Sequence, residues 1–202
     1  MQITSALNQT RYEVFRWRCQ ASLPWKITLA VLMAGLTGLL AQIRIPLPFT
    51  PVPVTGQTFG VLLAGVLLGR KWGGASLAIY AIAGIAGMPW FNGATSGLGT
   101  TTGYLVGFVL AALFLGYVTD RNPRFRTFGK LFGLMLFASL VLIYIPGLIW
   151  LGFWLHAVQG SSMSVAEILT IGALPFIAGD VLKTGAAALT ARVITPGEPF
   201  SD

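Results

Sequence analysis

Between Lys71 and Asp120 the chain carries no Asp, Glu, Lys or Arg. A helical bilayer crossing takes about 20 apolar residues, so this gap is longer than one crossing and long enough for two. Ordinary soluble domains run near ~25% charged residues, whereas this chain has 9%, against 55% hydrophobic. The composition thus extends to the whole chain what the gap shows locally. The expected fold class is an all-α membrane protein embedded in a lipid bilayer.

The hydrophobic runs divide into six expected transmembrane helices, at 26–43, 57–68, 74–90, 104–118, 128–155 and 176–194. Pro24 suits the start of the first, since its missing N–H falls where a helix has no use for one. The stretch 44–55 holds Pro46, Pro48, Pro51 and Pro53, which excludes helix and central strand and predicts an ordered extended loop. The second run ends at Gly69-Arg70-Lys71 and is too short to cross without tilt or a buried entry segment. The third is broken at Pro89. A bend is expected in the fifth at Pro146-Gly147, followed by a polar loop over 156–164. Pro175 separates a short segment, 167–174, from the sixth.

Charge then orients the set. Of thirteen Lys and Arg residues, eleven fall on the N-terminal side of this arrangement. Only Arg44 lies opposite, and Lys183 is within a span. The positive-inside bias places both termini in the cytoplasm. The organisation read from sequence is a cytoplasmic amphipathic or loose tail over 1–25, a membrane domain over 26–194, and a C-terminal tail over 195–202.

Several function classes drop out. No Gly-x-x-x-x-Gly-Lys-Ser/Thr loop is present, so the chain does not hydrolyse ATP itself. One histidine, His156, cannot make a zinc site alone, and neither Gly-x-Ser-x-Gly nor His-Glu-x-x-His occurs. No metal or cofactor is expected. The net charge of +7 is spread over loops and forms no stripe, which argues against nucleic acid.

What remains is an acid and a base inside an apolar run, Asp180 and Lys183. At a spacing of i,i+3 they share one helix face. Each costs about 2.5–3.5 kcal/mol at mid-membrane on insertion scales, a cost tolerated where charges pair or line a cavity. A self-neutralised packing pair is the plain alternative. The pair lies near the outward end of its span, beneath the proline loop and the uncharged stretch 91–103. That stretch supplies Trp90 at its edge, Asn92 and Thr101, a neutral donor and acceptor set that suits a loop folded inward over a pocket. It also suits a flexible external loop. Gln57 and Tyr104 stand at the outer ends of their helices, as interface anchors or as pocket wall. In the first span Ala30, Ala34 and Gly38 recur every four residues; such stripes let helices approach closely, either within the protein or against a partner.

These residues resemble the BioY family, the biotin-specific substrate-binding (S) components of energy-coupling-factor (ECF) transporters. The likeness covers about residues 26–194. It is carried by Ile45-Pro46-Leu47-Pro48-Phe49-Thr50-Pro51-Val52-Pro53-Val54-Thr55-Gly56-Gln57-Thr58, by Leu63-Ala64-Gly65 with Leu67-Leu68-Gly69, by Gly103-Tyr104-Leu105-Val106-Gly107-Phe108, and by Gly179-Asp180-Val181-Leu182-Lys183. The family's usual Gly-Pro-Thr-Gly-Gly-Tyr stands here as Gly99-Thr100-Thr101-Thr102-Gly103-Tyr104. The resemblance implies a six-helix S-component fold in a prokaryotic plasma membrane and capture of biotin from outside. It also implies docking, through the Ala30/Ala34/Gly38 stripe, onto a transmembrane coupling protein driven by two ATPases. An S component for another vitamin, such as riboflavin or thiamine, and a solitary carrier are the alternatives. Biotin's chemistry suits the residues: Asp180 can accept from the ureido N–H groups, Asn92 can serve the carbonyl, Lys183 can offset charge, and Trp90 and Tyr104 can enclose the ring.

Overall fold

A computed structural model describes residues 2–196; most of the expected C-terminal tail, from residue 197, lies outside the described residues. The chain is helical nearly throughout. Its elements are α1 (Gln2–Gln20), α2 (Leu23–Gln42), β1 (Arg44–Ile45), β2 (Val54–Thr55), α3 (Gln57–Ile85), α4 (Thr102–Arg121), α5 (Phe128–Phe137), α6 (Tyr144–Gln159), α7 (Val165–Gly172) and α8 (Ile177–Ile194). Helices α3, α4 and α6 form the centre, with α2 and α8 packed on α3 and α5 packed on α8. By length and composition four segments can cross a membrane: Leu23–Gln42, Thr102–Arg121, Phe128–Gln159 and Val165–Ile194.

The side chains are arranged inside-out relative to a soluble protein. Large apolar residues such as Leu32, Leu39, Ile82, Ile149, Phe153 and Leu182 point outward, where hydrocarbon and not water receives them. The interior instead collects alanine and glycine, because lipid gives helices no hydrophobic reason to associate and close backbone packing must hold them. Gly107 on α4 shows how close. A Cβ there would sit 2.5 Å from Ile143 Cα and 2.8 Å from Leu142 O, so any side chain would force α4 and α6 apart.

The expected stop at Gly69-Arg70-Lys71 is a break within one element, with no loop. Gly69 has φ 76° and ψ −179°, a region essentially restricted to glycine, and helix resumes at once. The break exposes carbonyls of one half and amides of the other, and two distant side chains satisfy them. Arg18 Nη1 donates to Leu67 O at 2.8 Å and to Val66 O at 3.3 Å. Asp120 Oδ2 accepts from Arg70 N at 3.0 Å while its Oδ1 pairs with Arg18 Nη2 at 2.9 Å. Arg18 comes from α1, so the expected N-terminal tail is a helix docked on the bundle. Its Phe15 is buried between the guanidinium groups of Arg18 and Arg126. Burial lowers the Arg126 side chain to a pKa of about 10.

The fifth expected span is continuous helix to Gln159, so His156 belongs to α6 and the loop begins at Gly160. The accommodation expected at Pro146-Gly147 appears just upstream, as a widened turn over Ala138–Ile143. Pro146 has no N–H for the carbonyl four residues back, and its ring crowds that carbonyl; a wide turn relieves both.

The proline stretch is extended as expected. Its ends pair antiparallel, Arg44 with Thr55 and Ile45 with Val54, and the prolines fall between the two short strands where no ladder bond is lost. Thr50 at its tip donates to Ile171 O at 2.7 Å.

The stripe of Ala30, Ala34 and Gly38 corrects an expectation. Ala30 and Ala34 are 0% exposed and Gly38 is buried with them. They face inward, with α2 packed on α3, and a Cβ at Gly38 would press on Trp90 at 3.2 Å. These small residues serve packing within the chain, and their own side chains present no exposed face to a partner.

Candidate functional site

Helix α8 starts after Pro175, and this places Asp180 in its first turn, where the helix dipole favours a negative charge. Its side chain is 4% exposed and pairs with Lys183 one turn on, with Lys183 Nζ 2.5 Å from Asp180 Oδ1. The ammonium also donates to Thr55 O at 3.0 Å. Asp180 Oδ1 thus has its counter-charge at contact distance. The other oxygen, Oδ2, accepts from the Tyr144 hydroxyl. The buried carboxylate is thus held on both sides, by a hydroxyl at one oxygen and an ammonium at the other.

This carboxylate lies on a cavity enclosing about 590 Å³ of empty space, part of it open to solvent. The polar members of its wall include Asp180, Lys183, Asn92, Thr101, Gln57, Thr55 and Thr58, and the apolar members include Val52, Leu105, Phe108 and Phe176. The structure thus gathers five of the expected residues around Asp180: Lys183, Asn92, Thr101, Tyr104 and Gln57. A second, more polar space adjoins it under the 95–102 segment and shares Phe91, Asn92, Thr101 and Leu105.

The five differ in what they leave free. Tyr104 presents its ring, because its hydroxyl is committed to Gly172 O at 2.8 Å. Gln57 is engaged at both ends, accepting from Thr55 Oγ1 at 2.8 Å and donating to the Tyr80 hydroxyl at 2.7 Å. Asn92 and Thr101 make no side-chain hydrogen bond among the described residues. So the wall groups with no hydrogen bond from their own side chains are the Asn92 amide and the Thr101 hydroxyl, while the carboxylate of Asp180 lies beneath Lys183.

Trp90 is placed differently from the expectation. It is not part of the cavity wall. Its indole N–H donates to Tyr80 O at 3.0 Å and its ring lies 5.2 Å from that of Tyr80. Of these two adjacent aromatics it is Phe91 that lines the cavity, and both rings pack against Tyr80.

The uncharged loop does fold inward. Gly93 (φ 72°) and Ala94 (φ 56°) make a tight reversal that brings Phe91 opposite Thr95 and carries Asn92 to the cavity. Gln42, the last residue of α2, holds this reversal. Its Nε2 donates to Phe91 O at 3.0 Å and Trp90 O at 3.3 Å, and its Oε1 accepts from Ala94 N at 2.9 Å. Trp150 fixes the far side by donating to Gly99 O at 2.8 Å.

Sequence reasoning missed Tyr144, Gln42, Tyr80 and Phe91. Tyr144 carried one usable signal, a lone tyrosine just before Pro146 within an apolar span. Gln42 carried a comparable one, a neutral amide at a helix end next to Arg44.

Comparison with known proteins follows the same lines. The sequence profile of the BioY family matches residues 14–199. A probable biotin transporter from Methanothermobacter thermautotrophicus is 54% identical over 145 residues, 69% of this chain and 92% of that protein. A biotin transporter from Rhizobium etli is 33% identical over 172 residues, 81% of this chain and 87% of that protein. Among solved structures, the S-component for biotin from an ECF-type ABC transporter superposes with a TM-score of 0.72 at 26% identity. That alignment covers 83% of this chain and 88% of that one.

Proposed function

The chain belongs to the BioY family, a family of transport proteins and not of enzymes, and we propose that it captures biotin in the cavity around Asp180 for uptake. One observation carries the reading: a nearly buried carboxylate, held by Tyr144 and Lys183, on the wall of a cavity also lined by Leu105, Phe108 and Phe176. A ureido ring is neutral, flat and rich in N–H. Asp180 Oδ1 accepts from a ureido N–H, in a charge-assisted bond stronger than a neutral one. Asn92 or Thr101 donates to the ureido carbonyl. Tyr104 and Phe91 enclose the ring, and Lys183 supplies the counter-charge of the carboxylate.

The remaining parts of the reading concern the setting. The two halves of α3 act as two crossings, giving six with α2, α4, α5–α6 and α8. The excess of Lys and Arg at the end where α2 begins and α8 ends puts that end, and both termini, in the cytoplasm of a prokaryotic cell. The Asp180 cavity then opens outward. Delivery requires an energy-coupling module, a transmembrane coupling protein with two ATPases, since this chain has no nucleotide-binding loop.

The test is titration calorimetry of the purified protein with biotin, with riboflavin and thiamine as competitors. Saturable binding of biotin that neither competitor displaces supports the reading. Absence of biotin binding by folded protein, or displacement by either of the others, overturns it.

A further inference from the structure

Helix α1 is too polar to cross the membrane, yet it is pinned to the bundle at a defined depth. Its inner face docks through Phe15 and Arg18 beside the break in α3. The next flank round, Val14 and Trp17, is about half exposed on both residues. Trp17 meets Trp25 edge-on, with ring centroids 5.9 Å apart, and Lys26 Nζ caps the end of α1 by donating to Cys19 O at 3.0 Å. Trp25 stands in the first turn of α2, on the same outward side that exposes Leu32, Leu36 and Leu39 to lipid. The contact therefore holds Trp17 at the level where a lipid-facing helix begins, the level at which Trp side chains collect.

The exposed charges at this end are mostly positive. Arg16, Arg70, Lys71, Arg124 and Lys130 are exposed, whereas of the two nearby acids Asp120 is engaged by Arg18, leaving Glu13. An apolar flank, two tryptophans at one depth and a surrounding set of cations are complementary to an anionic membrane surface.

We infer that α1 is an interfacial helix which lays its Val14–Trp17 flank into the headgroup layer of anionic lipid, next to the bundle it is latched to. Arg16 and Gln20, on the flank turned away, stay in water. A partner protein on the same flank is the competing occupant, and the experiment separates the two.

The measurement uses the full chain with Cys19→Ser, the protein's single cysteine, carrying one nitroxide at Val14→Cys or at Arg16→Cys. Each is reconstituted into vesicles of phosphatidylcholine, or of phosphatidylcholine and phosphatidylglycerol at roughly 3:1. Collision with oxygen is compared with collision with a water-soluble nickel chelate. In the anionic vesicles the oxygen-to-nickel ratio at position 14 should exceed that at position 16 several-fold, and omitting phosphatidylglycerol should shrink the difference. A label at position 14 that is as wet as one at 16 overturns the inference. So does a ratio unchanged by phosphatidylglycerol, which would remove the anionic requirement. A position 14 that becomes shielded only when membranes holding the other transporter subunits are added would assign the flank to a protein. Elution of each labelled protein as a single species establishes that it is folded.

Discussion

Replacing Asp180 by Asn keeps the shape of the side chain and removes only its charge, so it isolates what the carboxylate contributes. Two losses combine. The bond from ligand N–H to Oδ1 changes from charge-assisted to neutral, and bonds to charged groups are worth about 1.5–3 kcal/mol against about 1 for neutral ones. Lys183 also loses its counter-charge. Breaking a fully buried pair costs about 3–5 kcal/mol, but Lys183 is 19% exposed and retains its bond to Thr55 O, which holds this second loss to a fraction of that. The sum is about 2–3 kcal/mol, or roughly a 30- to 150-fold rise in Kd. Calorimetry with biotin reads it directly. An analogue methylated at the ureido nitrogens supplies the control. It should bind poorly to the wild type, and Asp180→Asn should weaken it little further, because the N–H that the carboxylate serves is already gone. Unchanged biotin affinity in folded Asp180→Asn protein would refute the assignment. An equal loss for both ligands would leave Asp180 as a structural partner of Lys183 and Tyr144.

Four other expectations follow from the fold. Gln42→Met removes the bonds that hold the Phe91–Ala94 reversal and should speed biotin dissociation while leaving the thermal midpoint nearly unchanged; stopped-flow release at the wild-type rate would contradict this. Gly69→Ala strains a backbone region costing about 1–3 kcal/mol for other residues and crowds Asp120 Oδ2 at 2.5 Å. Its thermal midpoint in detergent should fall, and an unchanged one would mean the break can relax. Ala34→Trp would drive α2 from α3, so yield and biotin binding should fall together; a well-behaved protein with intact binding would show that the stripe is accessible after all. In a Cys19→Ser background, cysteines at Thr50 or Ser162 should react with an impermeant thiol reagent added to intact cells and one at Asn122 should not. Outside labelling at Asn122 would reverse the proposed topology.

Sequence exposed the charges and the prolines because each is costly in a membrane and has few permitted places. An acid and a base three residues apart in an apolar run had to be paired or to line a cavity, and Asp180 and Lys183 do both. Four closely spaced prolines had to be extended, and they are. Residues whose role depends on direction were less legible. Ala30, Ala34 and Gly38 form a stripe whichever way they face, and only the rotation of α2 shows that they turn inward. Trp90 and Phe91 are adjacent aromatics, and the backbone reversal at Gly93-Ala94 decides which one reaches the cavity. Gly69 with two cations looked like a loop because its partners, Arg18 and Asp120, lie about fifty residues away on either side. Tyr144 was hidden in an apolar span, where its hydroxyl gains meaning only from Asp180 opposite.

The widened turn over Ala138–Ile143 sets a phase relation between the two ends of a long helix. Each residue of an α-helix advances the side-chain direction by about 100°. A turn holding one residue more than usual therefore rotates everything after it relative to everything before. Upstream, Leu131 and Met135 are buried in the bundle; downstream, Tyr144 meets Asp180 and Trp150 meets Gly99. Both sets face inward only because the extra residue is present. Shortened by one residue to regular pitch, the same sequence could keep the first set seated, but it would swing Tyr144 and Trp150 about a quarter-turn away from the cavity. The turn works as a vernier between the half of the helix that packs and the half that carries Tyr144 to Asp180.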